Sequence, residues 1–191
     1  MYKAFFKRII DILLSLVALI ALSPLIIGLA IGIKVESPGP ILFKQKRIGR
    51  KAEHFQIYKF RSMKIDTPNV ATDKLEDPEQ YVTKTGKFIR KTSLDELPQL
   101  FNILIGDMSV VGPRPALYNQ YELTQMRDEK NIHELRPGLT GYAQVRGRDM
   151  ITDQEKVGYD FFYLSHLSFI FDIKIIVKTF LSVAKSDGIK G

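Results

Sequence analysis

No cysteine occurs in the 191-residue chain, which excludes disulfides, thiolate catalysis and cysteine-ligated metal. Histidine is scarce as well: His54, His133 and His166 are the only three, and none stands in an H-E-x-x-H or similar ligand spacing. That argues against zinc and leaves a hard cation held by carboxylate oxygens as the metal chemistry the composition permits. Internal repeats and low-complexity segments are also missing. What the chain has in excess is positive charge: 28 Lys and Arg against 21 Asp and Glu, a net charge of +7. Such a balance suits an anionic partner, be it lipid head groups, a phosphorylated substrate or nucleic acid.

The longest uncharged run is Ile12 to Ile33, 22 residues. As a straight helix it would reach about 33 Å, enough to cross a bilayer. Ser23-Pro24 lies at its middle, where proline removes a backbone donor and a bend is expected. Lys3, Lys7 and Arg8 precede the run, and Lys34, Lys44, Lys46 and Arg47 follow it. Positive charge favours the cytoplasmic side, so basic residues at both flanks predict a re-entrant hairpin that returns to the face it entered. The Ser23 hydroxyl is placed to bond a carbonyl freed by the break. Three other forms compete. A kinked spanning helix tolerates proline. A cleaved signal peptide fits poorly, because the run is long and no A-x-A-like site follows. A buried soluble helix should show a polar face, and none is evident.

Beyond Glu36-Ser37-Pro38-Gly39-Pro40, which breaks the helix, about 155 residues form one domain. Ile41 to Lys46 and His54 to Phe60 alternate loosely around Ile48-Gly49-Arg50-Lys51 and read as a β-hairpin. Asp66 to Gln80 reads as a polar loop with short helical pieces. Leu97, Leu100, Phe101 and Leu104 repeat at helical spacing and stop at Gly106, a C-terminal cap. Val111 to Pro115 and Arg136 to Arg148 are turn-rich. Near the end, Lys174, Lys178 and Lys185 fall within about 40° of one another opposite Ile176, Phe180 and Val183. That pattern predicts either a basic amphipathic helix at a membrane surface or the solvated face of a core helix. The expected fold is therefore α+β and mainly helical. Residues 1–36 form the re-entrant helix–break–helix, and residues 37–191 a compact cytosolic domain with a small hairpin and interfacial amphipathic helices.

The segment best suited to chemistry is Arg90-Lys91-Thr92-Ser93-Leu94-Asp95-Glu96-Leu97-Pro98. Ser93-x-x-Glu96 has the form of a capping box, a purely structural use. Pro98 sits where a capped helix would begin to propagate, which weakens that account. Adjacent carboxylates beside Arg90 and Lys91 also fit phosphoryl chemistry: one acts as a nucleophile toward phosphorus, and its neighbour holds a divalent metal.

At these residues the chain resembles the bacterial polyprenyl-phosphate phosphoglycosyl transferases, the small monotopic enzymes that start surface-glycan assembly. The similarity runs nearly end to end. It covers Lys7-Arg8 with Asp11, Ser23-Pro24, Ser37-x-Gly39-Pro40, Tyr58 to Met63 and Thr92 to Leu100. It continues through Gly106 to Ser109, Val111 to Pro115, Arg136 to Gly141, and Ser168-x-x-x-Asp172. Tyr142 stands where the family often has Trp or Leu, and Arg146 where Asn is common. The stretch Asp66 to Asp73 looks like the capsule-initiating members, which points to a UDP-linked 2-acetamido-2,6-dideoxyhexose such as N-acetylfucosamine.

The resemblance implies transfer of sugar-1-phosphate from a UDP-sugar to polyprenyl phosphate at the cytoplasmic face of the bacterial inner membrane. Partners would be the two substrates and bilayer lipids, with no nucleic acid, and the oligomeric state is left open. The family's Asp-Glu dyad falls on Asp95, as covalent nucleophile, and Glu96, as ligand of Mg²⁺. Both carboxylates are metal-ligand candidates. Arg114, braced by Pro113 and Pro115, is a phosphate-binding candidate, together with Lys59, Arg61, Arg90, Arg136 and Arg146. Asp172, between Phe171 and Ile173, needs a partner if buried, and an ion pair with one of these arginines is the expectation. Two rival functions stand beside the transferase. A membrane-tethered binding protein for anionic lipid would leave the dyad without a role. A sugar-nucleotide hydrolase would use the same carboxylates.

Overall fold

Pro24 has no N–H with which to reach the carbonyl of Ile20, and the chain answers with two helices in place of one. In the computed structural model, which describes residues 2–67, 77–147 and 150–185, these are α1 (Lys7–Ala21) and α2 (Ser23–Glu36), bent 63° from each other. A π-helical turn, Tyr2–Phe6, leads into α1. Ser23 Oγ donates to Ile20 O at 2.8 Å, so the hydroxyl replaces the missing amide donor, as expected. No single helix among the described residues is long and apolar enough to cross a membrane; the bent pair together is.

The two helices are turned inside out relative to a soluble protein. Asp11 and Ser15, four residues apart, are the buried positions of α1, while Leu13, Leu16, Val17 and Ile20 face outward. Asp11 Oδ1 accepts the Val110 amide at 3.0 Å. α1 thus has a polar face, and it is the inner one. α2 buries Leu29 and Ile33 against Phe60 and Ile89, and exposes Leu25, Ile27, Ile31 and Val35.

The predicted hairpin is present as β1 (Leu42–Ile48) and β2 (His54–Phe60), antiparallel from Leu42↔Phe60 to Ile48↔His54. Lys51 and Ala52 take left-handed backbone in the turn (φ 56° and 58°). Of the predicted polar loop, the described part contains a 3₁₀ turn, Pro78–Tyr81; most of the capsule-like stretch 66–73 lies outside the described residues. α3 (Lys84–Lys91) is capped by Thr83 Oγ1, which accepts the Gly86 amide at 2.9 Å. α4 (Gln99–Ile105) ends at Gly106 with φ 106°, the predicted cap.

The turn-rich stretches hold structure that the sequence hid. β3 (Ser109–Val111) and β4 (Gly138–Thr140) form a short parallel pair, with α5 (Tyr121–Asp128) between them. A side chain at Gly138 would collide with the backbone of Gly112, and one at Gly141 with the Gly112 carbonyl. These glycines therefore serve close backbone approach rather than turns. α6 (Tyr142–Gly147) follows at once, then α7 (Asp153–Ser165), started by a capping box of Thr152 and Glu155, and α8 (Phe169–Lys185). The fold is mainly helical with a small antiparallel hairpin, as expected, plus the unforeseen parallel pair.

The C-terminal helix is rotated from its predicted orientation. Its inner face is Asp172, Ile175, Ile176 and Thr179, while Phe180, 73% exposed, joins Ile173, Val177 and Leu181 outside. Lys174 and Lys178 are exposed beside them; the side chains of Val183 and Lys185 lie outside the described set. Asp172 sets the rotation. Its partner is not an arginine: Lys7 Nζ donates to Oδ2 at 2.7 Å, as does the Tyr2 hydroxyl at 2.6 Å, and the Tyr163 hydroxyl donates to Oδ1 at 2.6 Å. Three donors at one buried carboxylate satisfy the requirement that the sequence raised.

Candidate active site

Ser93, in left-handed backbone (φ 56°), turns the chain sharply out of α3 into a 3₁₀ turn, Leu94–Glu96. Leu94 and Leu97 pack inward against the cluster of Phe60 and Ile89, which directs Asp95 and Glu96 to the opposite side. The capping-box alternative does not form. Ser93 makes no side-chain cap, and the Glu96 carboxylate is turned toward cations.

Those cations come from two other elements. Lys59, near the end of β2, donates from Nζ to Glu96 Oε1 at 2.7 Å and stands 3.8 Å from Asp95 Oδ2. Arg114, which follows β3, donates from Nη2 to the same Glu96 oxygen at 3.1 Å; its side chain is 46% exposed. Arg90, in the last turn of α3, lends a further positive charge to Asp95. The spacing of Lys59 from the dyad is fixed by Asn102 on α4. Its Oδ1 accepts the Tyr58 amide at 3.0 Å, and its Nδ2 donates to Gln56 O at 2.8 Å, so a buried amide replaces a strand neighbour along β2.

The dyad is electrostatically split. Burial raises the pKa of Asp95, only partly offset by Lys59, and with Glu96 beside it the value reaches about 6. Burial acts on Glu96 in the same direction, but Arg114 and Lys59 outweigh it and hold that carboxyl well below the usual range. Two adjacent carboxylates thus have unlike characters: Glu96 stays ionised, and Asp95 is the more basic of the two.

Other sequence candidates are held elsewhere. Arg61 is buried under the end of α2, with Nη1 donating to Pro38 O at 2.6 Å and Nη2 to Ser37 O at 2.7 Å. Arg136 Nε donates to Gly106 O at 2.8 Å. Arg146 donates from Nη2 to the Tyr142 hydroxyl at 2.6 Å and lies over the same ring. None of the three contacts the dyad. Sequence reasoning passed over Arg127, whose Nε and Nη2 meet Asp160 Oδ2 at 3.1 and 2.6 Å while Nη1 donates to Arg114 O at 2.9 Å. Its one signal was a cation four residues from Leu123, on the inner face of α5.

No group of three or more His, Asp or Glu side chains able to share a metal occurs among the described residues. The dyad nevertheless suits Mg²⁺, which is held by one or two carboxylates with water and substrate phosphate completing the shell. Lys59 and Arg114 both engage Glu96 Oε1, which leaves Oε2 and the Asp95 oxygens as the donors for it.

A profile of the family described as "Bacterial sugar transferase" matches residues 2–186. The chain belongs to the bacterial sugar transferase family. It is 39% identical over 191 residues to a UDP-N-acetylgalactosamine-undecaprenyl-phosphate N-acetylgalactosaminephosphotransferase of Aeromonas hydrophila, covering 97% of this chain and 45% of that protein. With a UDP-glucose:undecaprenyl-phosphate glucose-1-phosphate transferase of Xanthomonas campestris the identity is 38%, covering 93% and 38%. The chain thus spans less than half the length of these curated relatives. The exopolysaccharide production protein PSS of Rhizobium leguminosarum is 40% identical and is matched over 94% of its length, by 92% of this chain. Relatives named for different sugars lie at nearly the same identity, so overall similarity does not sort the donor.

Proposed function

We propose that the chain transfers sugar-1-phosphate from a UDP-sugar to polyprenyl phosphate, giving polyprenyl-diphosphate-sugar and UMP, with Asp95 as covalent nucleophile. The observation that carries this reading is the split dyad: Glu96 is neutralised by Lys59 and Arg114, while Asp95, pushed to about 6, is ionised at neutral pH yet poorly solvated. An Asp95 oxygen attacks the β-phosphorus, the bond from that phosphorus to the bridging oxygen breaks, and UMP leaves with the oxygen. An oxygen of polyprenyl phosphate then attacks the same phosphorus, and the Asp95 carboxylate departs unchanged. Lys59, Arg90 and Arg114 hold the phosphoryl oxygens around Asp95. Mg²⁺, held by Glu96 and Asp95, would neutralise charge that builds on those oxygens.

The bent α1–α2 pair supports a re-entrant anchor at the cytoplasmic face of the plasma membrane, with the lipid phosphate and the water-soluble donor meeting at the boundary. In this reading residues 1–36 are the anchor and 37–191 the catalytic part. The two share a core, because Leu29 and Ile33 pack on Phe60 and Ile89. The exposed apolar side of α8, flanked by Lys174 and Lys178, suits the same interface.

The test uses a donor labelled at the β-phosphate. Without polyprenyl phosphate, the enzyme should release one UMP per site and retain hydroxylamine-labile label. Adding the lipid should chase that label into product, and Asp95→Asn should do neither. Continuous UMP release without lipid would instead identify a hydrolase, and no release at all a binding protein. The same assay over UDP-glucose, UDP-N-acetylgalactosamine and a UDP-2-acetamido-2,6-dideoxyhexose such as UDP-N-acetylfucosamine assigns the donor.

A further inference from the structure

Arg114 is held from behind by the guanidinium groups of Arg127, which is buried, and Arg47, which is half-buried. Arg127 donates to its own carbonyl, and Arg47, on β1, donates from Nη1 to the next carbonyl, Pro115 O, at 3.0 Å. Arg47 Nη2 also donates to Gln45 Oε1 at 2.7 Å, and the segment is stitched further to β1 by Ile48 N donating to Ala116 O at 3.0 Å. The Arg114 and Pro115 carbonyls thus each end on an arginine, while Pro113 O accepts the Gly138 amide at 2.8 Å.

The two arginines differ in how their charge is met. Arg127 is matched by Asp160. Arg47 has no carboxylate at ion-pair distance among the described residues, and its Nε is buried without a hydrogen-bond partner. The charges it feels are Arg114 and Glu96. Burial, then repulsion from Arg114, lowers its pKa to about 10, which leaves it cationic at neutral pH. The dyad is therefore faced by Lys59, Arg90, Arg114 and, behind them, Arg47: four cations to two carboxylates.

We propose that Arg47 is a positioning residue of the reaction: its grip on the Pro115 carbonyl sets where the Arg114 guanidinium meets Glu96, and its unmatched charge tunes the site for a nucleoside diphosphate. This rests on the transferase reading above. A fork that bonds two acceptors at once explains arginine here, since a lysine ammonium carries the charge without the planar grip. A displacement of the order of 1 Å in a group that faces the phosphoryl oxygens is enough to lower turnover about 100-fold.

Arg47→Lys keeps the charge and loses the fork; Arg47→Gln loses both. Arg47→Lys should lower kcat with the donor KM near wild type, whereas Arg47→Gln should also raise the donor KM, with kcat/KM down about 100-fold. Equal donor KM values in the two variants would remove the charge from the proposal. In an Arg114→Ala background, Arg47→Lys should have no further effect on kcat, and an independent, additive fall would show that Arg47 does not act through Arg114. Amide exchange across residues 112–117 should quicken in Arg47→Lys while that of α4 is unchanged; exchange unaltered at 112–117 overturns the positioning role. That measurement needs no turnover. A wild-type protein that released no UMP from any UDP-sugar would defeat the transferase reading, and hydrogen exchange would still decide Arg47.

Discussion

Replacing Asp95 should make the protein more stable, and only at the pH where its carboxyl is ionised. Asp95 is well buried, its side chain 15% exposed, and its pKa stands at about 6 against 3.8 ordinarily. A shift of about two units corresponds to about 3 kcal/mol between the two protonation states. Below pH 4 the carboxyl is protonated in both folded and unfolded chains, and nothing is lost. Between pH 4 and 6 the folded state holds the extra proton, so stability falls as pH rises. Above pH 6 the whole penalty of the charged form is present. Asp95→Asn never ionises. It should match wild type near pH 4 and exceed it by up to about 3 kcal/mol at pH 8, a rise in Tm of about 6–12 °C for a chain of this size. The assay is thermal unfolding followed by circular dichroism at 222 nm, in one detergent, with chelator present, at half-unit steps from pH 4 to 8. Tm curves that run parallel across that range would refute the burial argument, and a variant less stable at pH 8 would reverse it.

Two more outcomes follow from the same arrangement of charges and helices. The donor kcat/KM should rise with pH and level off around a midpoint near 6, because Asp95 must ionise to attack; Lys59→Met, which removes the largest influence opposing that shift, should move the midpoint to higher pH, and a midpoint that stays or falls contradicts the assigned role. Since the chain has no cysteine, a single one at Lys3 or at Glu122 reports sidedness: both should react with an impermeant thiol reagent only from the cytoplasmic side, Pro24→Ala should shift some molecules to a spanning form, and labelling of Lys3→Cys from outside with Pro24 intact would establish a spanning helix.

Features that depend on local chain chemistry were legible in the sequence. Pro24 dictates a break wherever it falls in a helix, and the Gly106 cap follows from a single residue's backbone freedom. Asp95 and Glu96 were legible because adjacent acids beside basic residues and an ill-placed proline do not serve an ordinary helix. What could not be read was where distant groups meet. Asn102 looks like any polar residue until its amide is found bridging β2, and Arg47 and Arg127 grip main-chain carbonyls, which carry no sequence signature. Strands of three residues separated by an intervening helix give no alternation to detect, so β3 and β4 passed as turns. Asp172 was seen to need a partner, but Lys7 is 165 positions away, and charge complementarity among many cations does not choose one.

That separation has a consequence for how the protein is made. Tyr2 and Lys7, at the head of the apolar hairpin, are made well before their partner, because Asp172 is added 165 residues after Lys7. At about 5–20 residues per second the first helix waits roughly 10–30 s before its counter-ion exists. During that interval Asp11, one turn along α1, is the nearest carboxylate to Lys7, and the three-donor site around Asp172 cannot form. Packing of α8 against α1, once it has left the ribosome, then closes the structure like a clasp. A ribosome stalled before residue 172 should therefore hold a chain whose dyad region is already made but whose Tyr2–Lys7 segment exchanges amides freely, and release of the finished chain should protect that segment and α8 together.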